Sequence, residues 1–108
     1  MDRKKALEAE LERIIRIICN GDPPQKVILF GSLVTGEVKE WSDLDLIIVK
    51  EINVPFLERI KNFLLLIQPR VGIDLLVYTP KEFEELCRSR AFFREEIVKK
   101  GKLLYERK

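Results

Sequence analysis

Three aspartates and one glycine–serine pair stand beside aliphatic runs in this 108-residue chain. Gly31 and Ser32 close the run Val-Ile-Leu-Phe, and after a spacer of ten residues Asp43 and Asp45 lead into Leu-Ile-Ile-Val. Asp74 interrupts a further run, Gly-Ile-Asp-Leu-Leu-Val-Tyr. Because burying an unpaired carboxylate costs on the order of several kcal/mol, something must compensate these three charges. These residues favour a divalent cation, bound together with a phosphate, as the group that offsets the charges.

The available ligands narrow the choice of metal. The chain contains no histidine, which excludes histidine-activated nucleophiles and histidine-based zinc sites. Carboxylate oxygens favour Mg²⁺ or Mn²⁺ over zinc, and Mg²⁺ leaves coordination positions for water and substrate phosphates. Gly31 allows a phosphate to approach the backbone closely, and Ser32 adds a hydroxyl donor where a short helix is predicted to begin. These parts together suit phosphoryl transfer.

Apolar periodicity and capping residues predict alternating helices and strands. Helices are predicted over residues 2–18, 32–37, 55–67, 80–89 and 91–100, and strands over residues 26–30, 44–49, 73–78 and 102–105. Such an alternation predicts an α/β (α+β) fold in which helices pack against a short mixed sheet. The apolar positions of the helix at 55–67 cover more than one stripe, so this helix is either enclosed by the core or faces another chain in part.

The predicted strands bring the three acids to one rim of the sheet. Asp43 and Asp45 are two residues apart, so their side chains leave the same face of a strand. Ile47 and Val49 continue that face as core, which leaves the acids at its edge. Asp74 can occupy the neighbouring strand at a similar height. We therefore expect Asp43, Asp45 and Asp74 to form a shared metal site.

Length and composition predict one domain over residues 1–108. The net charge of +2 gives no strong signal for nucleic-acid binding. No signal peptide and no membrane-spanning run are recognised, so a cytoplasmic protein is expected. Cys19 and Cys87 are far apart in amphipathic segments, which predicts buried free thiols rather than a disulfide.

The combination of Gly31-Ser32, the Asp43-x-Asp45 pair and the isolated Asp74 resembles the nucleotidyltransferase superfamily of DNA polymerase β in its minimal form. The resemblance implies a nucleotidyltransferase-like fold, ATP as the nucleotide and two Mg²⁺ ions, with Mn²⁺ as a possible substitute. It implies that Asp43 and Asp45 bind metal, and that Asp74 binds the catalytic metal and helps to deprotonate the attacking hydroxyl. Gly31 and Ser32 would hold the phosphates.

The chain departs from the family pattern directly after Ser32. An arginine and an Ala-Arg-Gly turn are frequent there in the minimal family, whereas this chain has Leu-Val-Thr before Gly36. The glycine is kept and the basic side chains are absent.

Minimal nucleotidyltransferases resemble the antitoxin half of toxin–antitoxin pairs, whose other half is a helical HEPN-domain ribonuclease that receives AMP from ATP. The resemblance therefore implies a HEPN-type partner, and a symmetric copy of the chain is an alternative second wall for the site. The helix at 55–67 and the adjacent Phe92 and Phe93 suit such an interface or core packing equally. Two other functions remain open: a binding module that neutralises its partner without catalysis, and transfer to a small molecule such as an aminoglycoside.

Overall fold

A computed structural model of the protein describes residues 2–107. Within these residues, five helices and four strands follow one another: α1 (Arg3–Ile18), β1 (Lys26–Phe30), α2 (Ser32–Thr35), β2 (Leu44–Val49), α3 (Phe56–Ile67), β3 (Ile73–Tyr78), α4 (Pro80–Ser89), α5 (Phe93–Lys99) and β4 (Lys102–Glu106). The predicted α+β architecture is confirmed. No helix among the described residues has the length and apolar character to cross a membrane.

The four strands form one mixed sheet in the order β3-β2-β1-β4. β1 pairs antiparallel with both β2 and β4, and β2 pairs parallel with β3. The parallel pair requires a crossover, which α3 provides. Because β2 and β3 run in the same direction, their first residues meet at the same end of the sheet.

The sheet has a helical layer on each face. One face packs against α1 and α3, and its buried residues include Leu44, Leu46 and Ile48 of β2. The other face packs against α4 and α5 and receives Ile47 and Val49 of the same strand. Strand alternation produces this division, and it assigns Asp45 to the face of Ile47 and Val49.

Two partly buried ion pairs join the helices to the rest of the fold. Glu10, which is 5% exposed, accepts two hydrogen bonds from Arg13 and one from the Arg70 amide. Arg59, on α3, donates to Glu82 of α4 and to the carbonyl oxygens of residues 54 and 77. Since buried charges must be paired, these contacts tie α1 and α3 to the segments that lead into and out of β3.

The element boundaries follow the sequence closely. The strands predicted at 26–30, 44–49 and 73–78 and the helix at 80–89 are confirmed at both ends, and the last strand extends one residue further. The helices predicted at 2–18 and 55–67 begin one residue later because Asp2 and Pro55 are the caps. Thr79 forms a capping box with Glu82 at the start of α4. The helix at 32–37 ends earlier, because Gly36 takes φ +85°.

Two expectations are corrected by the structure. The helix predicted over 91–100 is wound as a π-helix from Phe93 to Lys99, in which the Lys100 amide bonds the Glu95 carbonyl five residues back. The two cysteines are free, as expected, but only half-buried. Cys19 and Cys87 lie at the margins of the two core clusters rather than inside them, and their partial burial raises the pKa of both thiols.

Helix α3 buries part of its apolar side chains and exposes the others. Phe63 and Ile67 lie in the core, whereas the side chains of Leu57, Leu65 and Leu66 are exposed. The core alone therefore does not account for the apolar composition of this helix.

Candidate active site

Two parallel strands bring Asp45 and Asp74 side by side. Asp45 of β2 is the register partner of Asp74 of β3. Neighbouring strands lie about 4.8 Å apart, and partners in register point to the same face. The two carboxylates therefore lie beside each other at one end of the sheet, Asp45 half-buried and Asp74 exposed. The expectation that Asp74 occupies a neighbouring strand at the height of Asp45 is confirmed.

The electrostatics of Asp45 reflect this crowding. The pKa of Asp45 is raised to about 6, chiefly by burial and then by a hydrogen bond with Asp74 and by the charges of Asp74 and Asp43. Each of these causes disfavours the ionised form. Two carboxylates in contact, with a third charge nearby, repel one another, and a bound cation would offset this repulsion.

Asp43 immediately precedes β2 and contacts a different set of neighbours. Its carboxylate lies against the backbone of Gly72, where a Cβ would fall 2.7 Å from Cγ of Asp43. The Nη2 atom of Arg3 lies 3.8 Å from Oδ1 of Asp43, and Nε of Arg3 donates to the Ser42 carbonyl at 2.8 Å. The start of α1 thus contacts the segment before β2 that carries Asp43.

The turn after β1 lies against the second acid. Gly31 has φ +79° and ψ −153°, a backbone conformation that is essentially restricted to glycine. A Cβ at Gly31 would fall 2.9 Å from Cγ of Asp45, so glycine is required for conformation and for space. Ser32 begins α2, and the Gly31 carbonyl accepts hydrogen bonds from the amides of Val34 and Thr35.

The structure brings the predicted site residues to one end of the sheet, with Asp45 as the common neighbour. Asp45 contacts Asp74 on one side and Gly31 on the other. The three acids do not form a closed cluster: among residues 2–107, no three Asp, Glu, Cys or His side chains are arranged to hold a metal ion. Asp45 and Asp74 are the pair whose all-oxygen donor set and mutual repulsion fit a hard divalent cation.

Sequence reasoning missed two residues that contact the site. Gly72 precedes β3 by one residue, and its position two residues before Asp74 is a signal that could have identified it. Arg3 lies 39 residues before Ser42, its hydrogen-bond partner, and no local pattern marks it. Only the packing of α1 reveals this residue.

Comparison with known proteins gives one matching family and several similar structures. A profile of the family described as polymerase beta, nucleotidyltransferase, matches residues 12–108. No curated protein matches the chain by sequence. The chain superposes on a candidate nucleotidyltransferase from Sulfolobus solfataricus with a TM-score of 0.64 and 18% identity, over 96% of this chain and 84% of that one.

Two further structures are similar. A chain from a toxin–antitoxin crystal structure with AMP-PNP superposes with a TM-score of 0.52 and 21% identity, over 94% of this chain and 74% of that one. A complex of a tri-AMPylated HEPN toxin with an MNT antitoxin from Shewanella oneidensis gives a TM-score of 0.47 and 18% identity, over 96% and 73%. The first two superpositions establish a shared fold.

Proposed function

This chain belongs to the polymerase beta nucleotidyltransferase family, and from that premise we propose that it transfers a nucleoside monophosphate, AMP from ATP, to an acceptor hydroxyl. The observation that carries the proposal is the register of Asp45 with Asp74 beside the Gly31 turn. In this reaction the acceptor oxygen forms a bond to the α-phosphorus. The bond between the α-phosphorus and the oxygen that bridges it to the β-phosphate breaks, and pyrophosphate leaves with the electron pair.

Each site residue has a role in this proposal. Asp45 and Asp74, with Asp43 beside them, would hold Mg²⁺, and two ions are expected. A bound divalent ion supplies positive charge next to the phosphates. Asp74 is exposed, so its carboxylate can take the proton of the attacking hydroxyl. The backbone at Gly31 and the hydroxyl of Ser32 would orient the phosphates.

The acceptor in this proposal is a hydroxyl group of a partner protein, a HEPN-type toxin, which makes the chain an antitoxin. Support comes from the exposed acids, since an open site needs a second wall to hold an acceptor. The similar fold of a chain from a toxin–antitoxin structure with AMP-PNP also supports a toxin as the partner. The exposed leucines of α3, at positions 57, 65 and 66, are apolar surface available to such a partner.

The test combines the chain, Mg²⁺ and the protein encoded by the adjacent gene with ATP labelled at the α-phosphate or at the γ-phosphate. Label on the partner from the α-position alone supports AMP transfer. Asp43→Asn should reduce transfer by at least about a hundredfold without unfolding the protein. Glu51→Gln is the matched control, since this exposed carboxylate lies beyond the opposite end of β2. Undiminished transfer by the Asp43→Asn protein would contradict the proposal.

A second candidate function is neutralisation of the partner by complex formation alone. The absence of a basic side chain between Ser32 and Gly36 favours it, because a phosphate-binding turn gains from a nearby cation. In a growth assay with the partner toxin, the Asp43→Asn protein would still protect cells if binding is sufficient. Loss of protection would exclude this candidate.

A further inference from the structure

One row of side chains crosses three strands at the end of the sheet that carries the acids. Phe30 of β1 is the register partner of Asp45, which is in turn the partner of Asp74. All three leave the face that packs against α4 and α5, because Phe30, like Ile28, belongs to that cluster. An aromatic ring therefore stands next to the acid pair on the same surface.

Phe92 extends this row away from the acids. Its ring meets the ring of Phe30 edge-on, with centroids 6.4 Å apart and an interplanar angle of 87°. It meets Phe93 in the same manner at 5.7 Å and 79°. Phe93 is buried and contacts Tyr78 and Phe83. Phe92 is thus held between two aromatic neighbours that pack into the core cluster.

Phe92 nevertheless remains half in solvent, with 51% of the residue's surface exposed. The perpendicular contacts with Phe30 and Phe93 therefore leave part of this aromatic side chain open to another planar group. An aromatic ring that is fixed by its neighbours loses little conformational freedom when such a group stacks on it. Leu57 and Leu65 of α3 are also exposed, but they lie on the helix that covers the opposite face of the sheet.

We propose that the exposed part of the Phe92 ring receives the base of the nucleoside triphosphate whose phosphates bind at Gly31 and the acid pair. This inference rests on the proposed function and adds the residue that holds the base. Gly31 directly follows Phe30, so a nucleotide with its phosphates at this turn needs to extend only past one strand to reach Phe92. Phe92 is a binding residue here and takes no part in the chemical step.

Stacking on a single ring predicts weak discrimination among bases. Every base presents a π-face, and stacking tolerates changes in the hydrogen-bonding edge. We therefore expect ATP and GTP to bind similarly, and both more tightly than the pyrimidine nucleotides, whose rings are smaller.

The test compares two ligands that differ in having a base. Calorimetry measures the affinity of Mg²⁺–ATP and of Mg²⁺–tripolyphosphate for the unmodified protein, Phe92→Ala and Phe92→Tyr. Phe92→Ala should weaken ATP binding by about five- to a hundredfold and leave tripolyphosphate binding unchanged, whereas Phe92→Tyr should retain both. Val98→Ala is the matched control, because Val98 is an exposed apolar side chain on α5, and it should change neither affinity.

The possible failures are distinguishable. If neither ligand binds the unmodified protein, the proposed function and this inference both fail. If ATP binds and Phe92→Ala has no effect, or weakens both ligands equally, only the role of Phe92 is overturned. Trp41 is the alternative aromatic side chain for the base, because it is 77% exposed and lies two residues before Asp43. Selective loss of ATP affinity in Trp41→Ala instead of Phe92→Ala would also overturn this inference.

Discussion

Gly31 and Asp45 lie in such close contact that a Cβ on the glycine would fall 2.9 Å from Cγ of the aspartate. The turn that is proposed to hold phosphate is therefore in direct contact with the acid that is proposed to hold metal. A change in either residue is transmitted to the other. This relationship makes the glycine a sensitive probe of the site.

We expect Gly31→Ala to impair both stability and transfer. The backbone conformation at Gly31 costs a non-glycine residue about 1–3 kcal/mol, and the added methyl group must also displace the carboxylate of Asp45. Gly36→Ala is the control, because Gly36 also has a positive φ, of +85°, but no atom within 4 Å of the added Cβ. Urea unfolding measures the first effect, and the labelled-ATP assay measures the second.

The comparison between the two glycine variants is decisive. Gly36→Ala should lower the free energy of unfolding by about 1–2 kcal/mol and retain most of the transfer activity. Gly31→Ala should lose transfer even under conditions in which it is fully folded. Equal transfer by the two variants would mean that contact between Gly31 and Asp45 is irrelevant to the reaction.

The raised pKa of Asp45 predicts a pH-dependent response to metal. The folded-state pKa of about 6 lies above the ordinary aspartate value of 3.8, so folding favours the protonated form. Without metal, the ionised carboxylate therefore reduces stability progressively as the pH rises from about 4 through 6. A cation binds the ionised form. Mg²⁺ should accordingly raise the melting temperature more at pH 7.5 than at pH 5.

Asp45→Asn removes the charge and keeps the shape of the side chain. In the absence of metal, this variant should be at least as stable as the unmodified protein at pH 7.5, and its advantage should disappear at pH 4. It should also lose the Mg²⁺ response. Glu51→Gln should retain the response in full. A melting temperature of Asp45→Asn that rises with Mg²⁺ as much as that of the unmodified protein would argue against Asp45 as a ligand.

The partly buried Glu10–Arg13 pair predicts a pH effect of the opposite sign. Hydrogen bonds from Arg13, with a further one from the Arg70 amide, hold the pKa of Glu10 below the ordinary glutamate value of 4.5. The stability that the ionised carboxylate contributes is present above about pH 4.5, and it is lost as the pH falls through the lowered folded-state pKa.

Glu10→Gln should therefore lower the free energy of unfolding by about 1–3 kcal/mol at pH 7. The difference from the unmodified protein should narrow as the pH falls below 4.5. Glu12→Gln is the control, since Glu12 pairs with Arg16 in solvent and should change stability by less than about 0.5 kcal/mol. Chemical unfolding at several pH values measures both effects. A Glu10→Gln deficit that is constant down to pH 3 would refute the assigned cause.

Local sequence information was sufficient for the elements of this protein. Strand alternation, helical periodicity and capping residues such as Asp2 and Thr79 act over a few residues, and the chain satisfies them nearly everywhere. The winding of α5 escaped prediction, because the apolar residues of so short a segment do not show whether its amides bond four or five residues back. The apolar composition of α3 left two alternatives open, enclosure by the core or partial exposure to another chain, and only packing decided which leucines face solvent.

The sequence by itself determined which residues are candidates for the site, and it indicated their family. Gly31, Ser32, Asp43, Asp45 and Asp74 were identifiable because acids and a glycine are unusual beside aliphatic strands; their roles in binding and catalysis stay predictions. The tertiary structure alone decided their grouping. It set Asp45 in register with Asp74, directed Asp43 towards Gly72 and Arg3, and placed Phe92 against Phe30. Strand register and helix packing join residues far apart in sequence, and no local pattern encodes those distances.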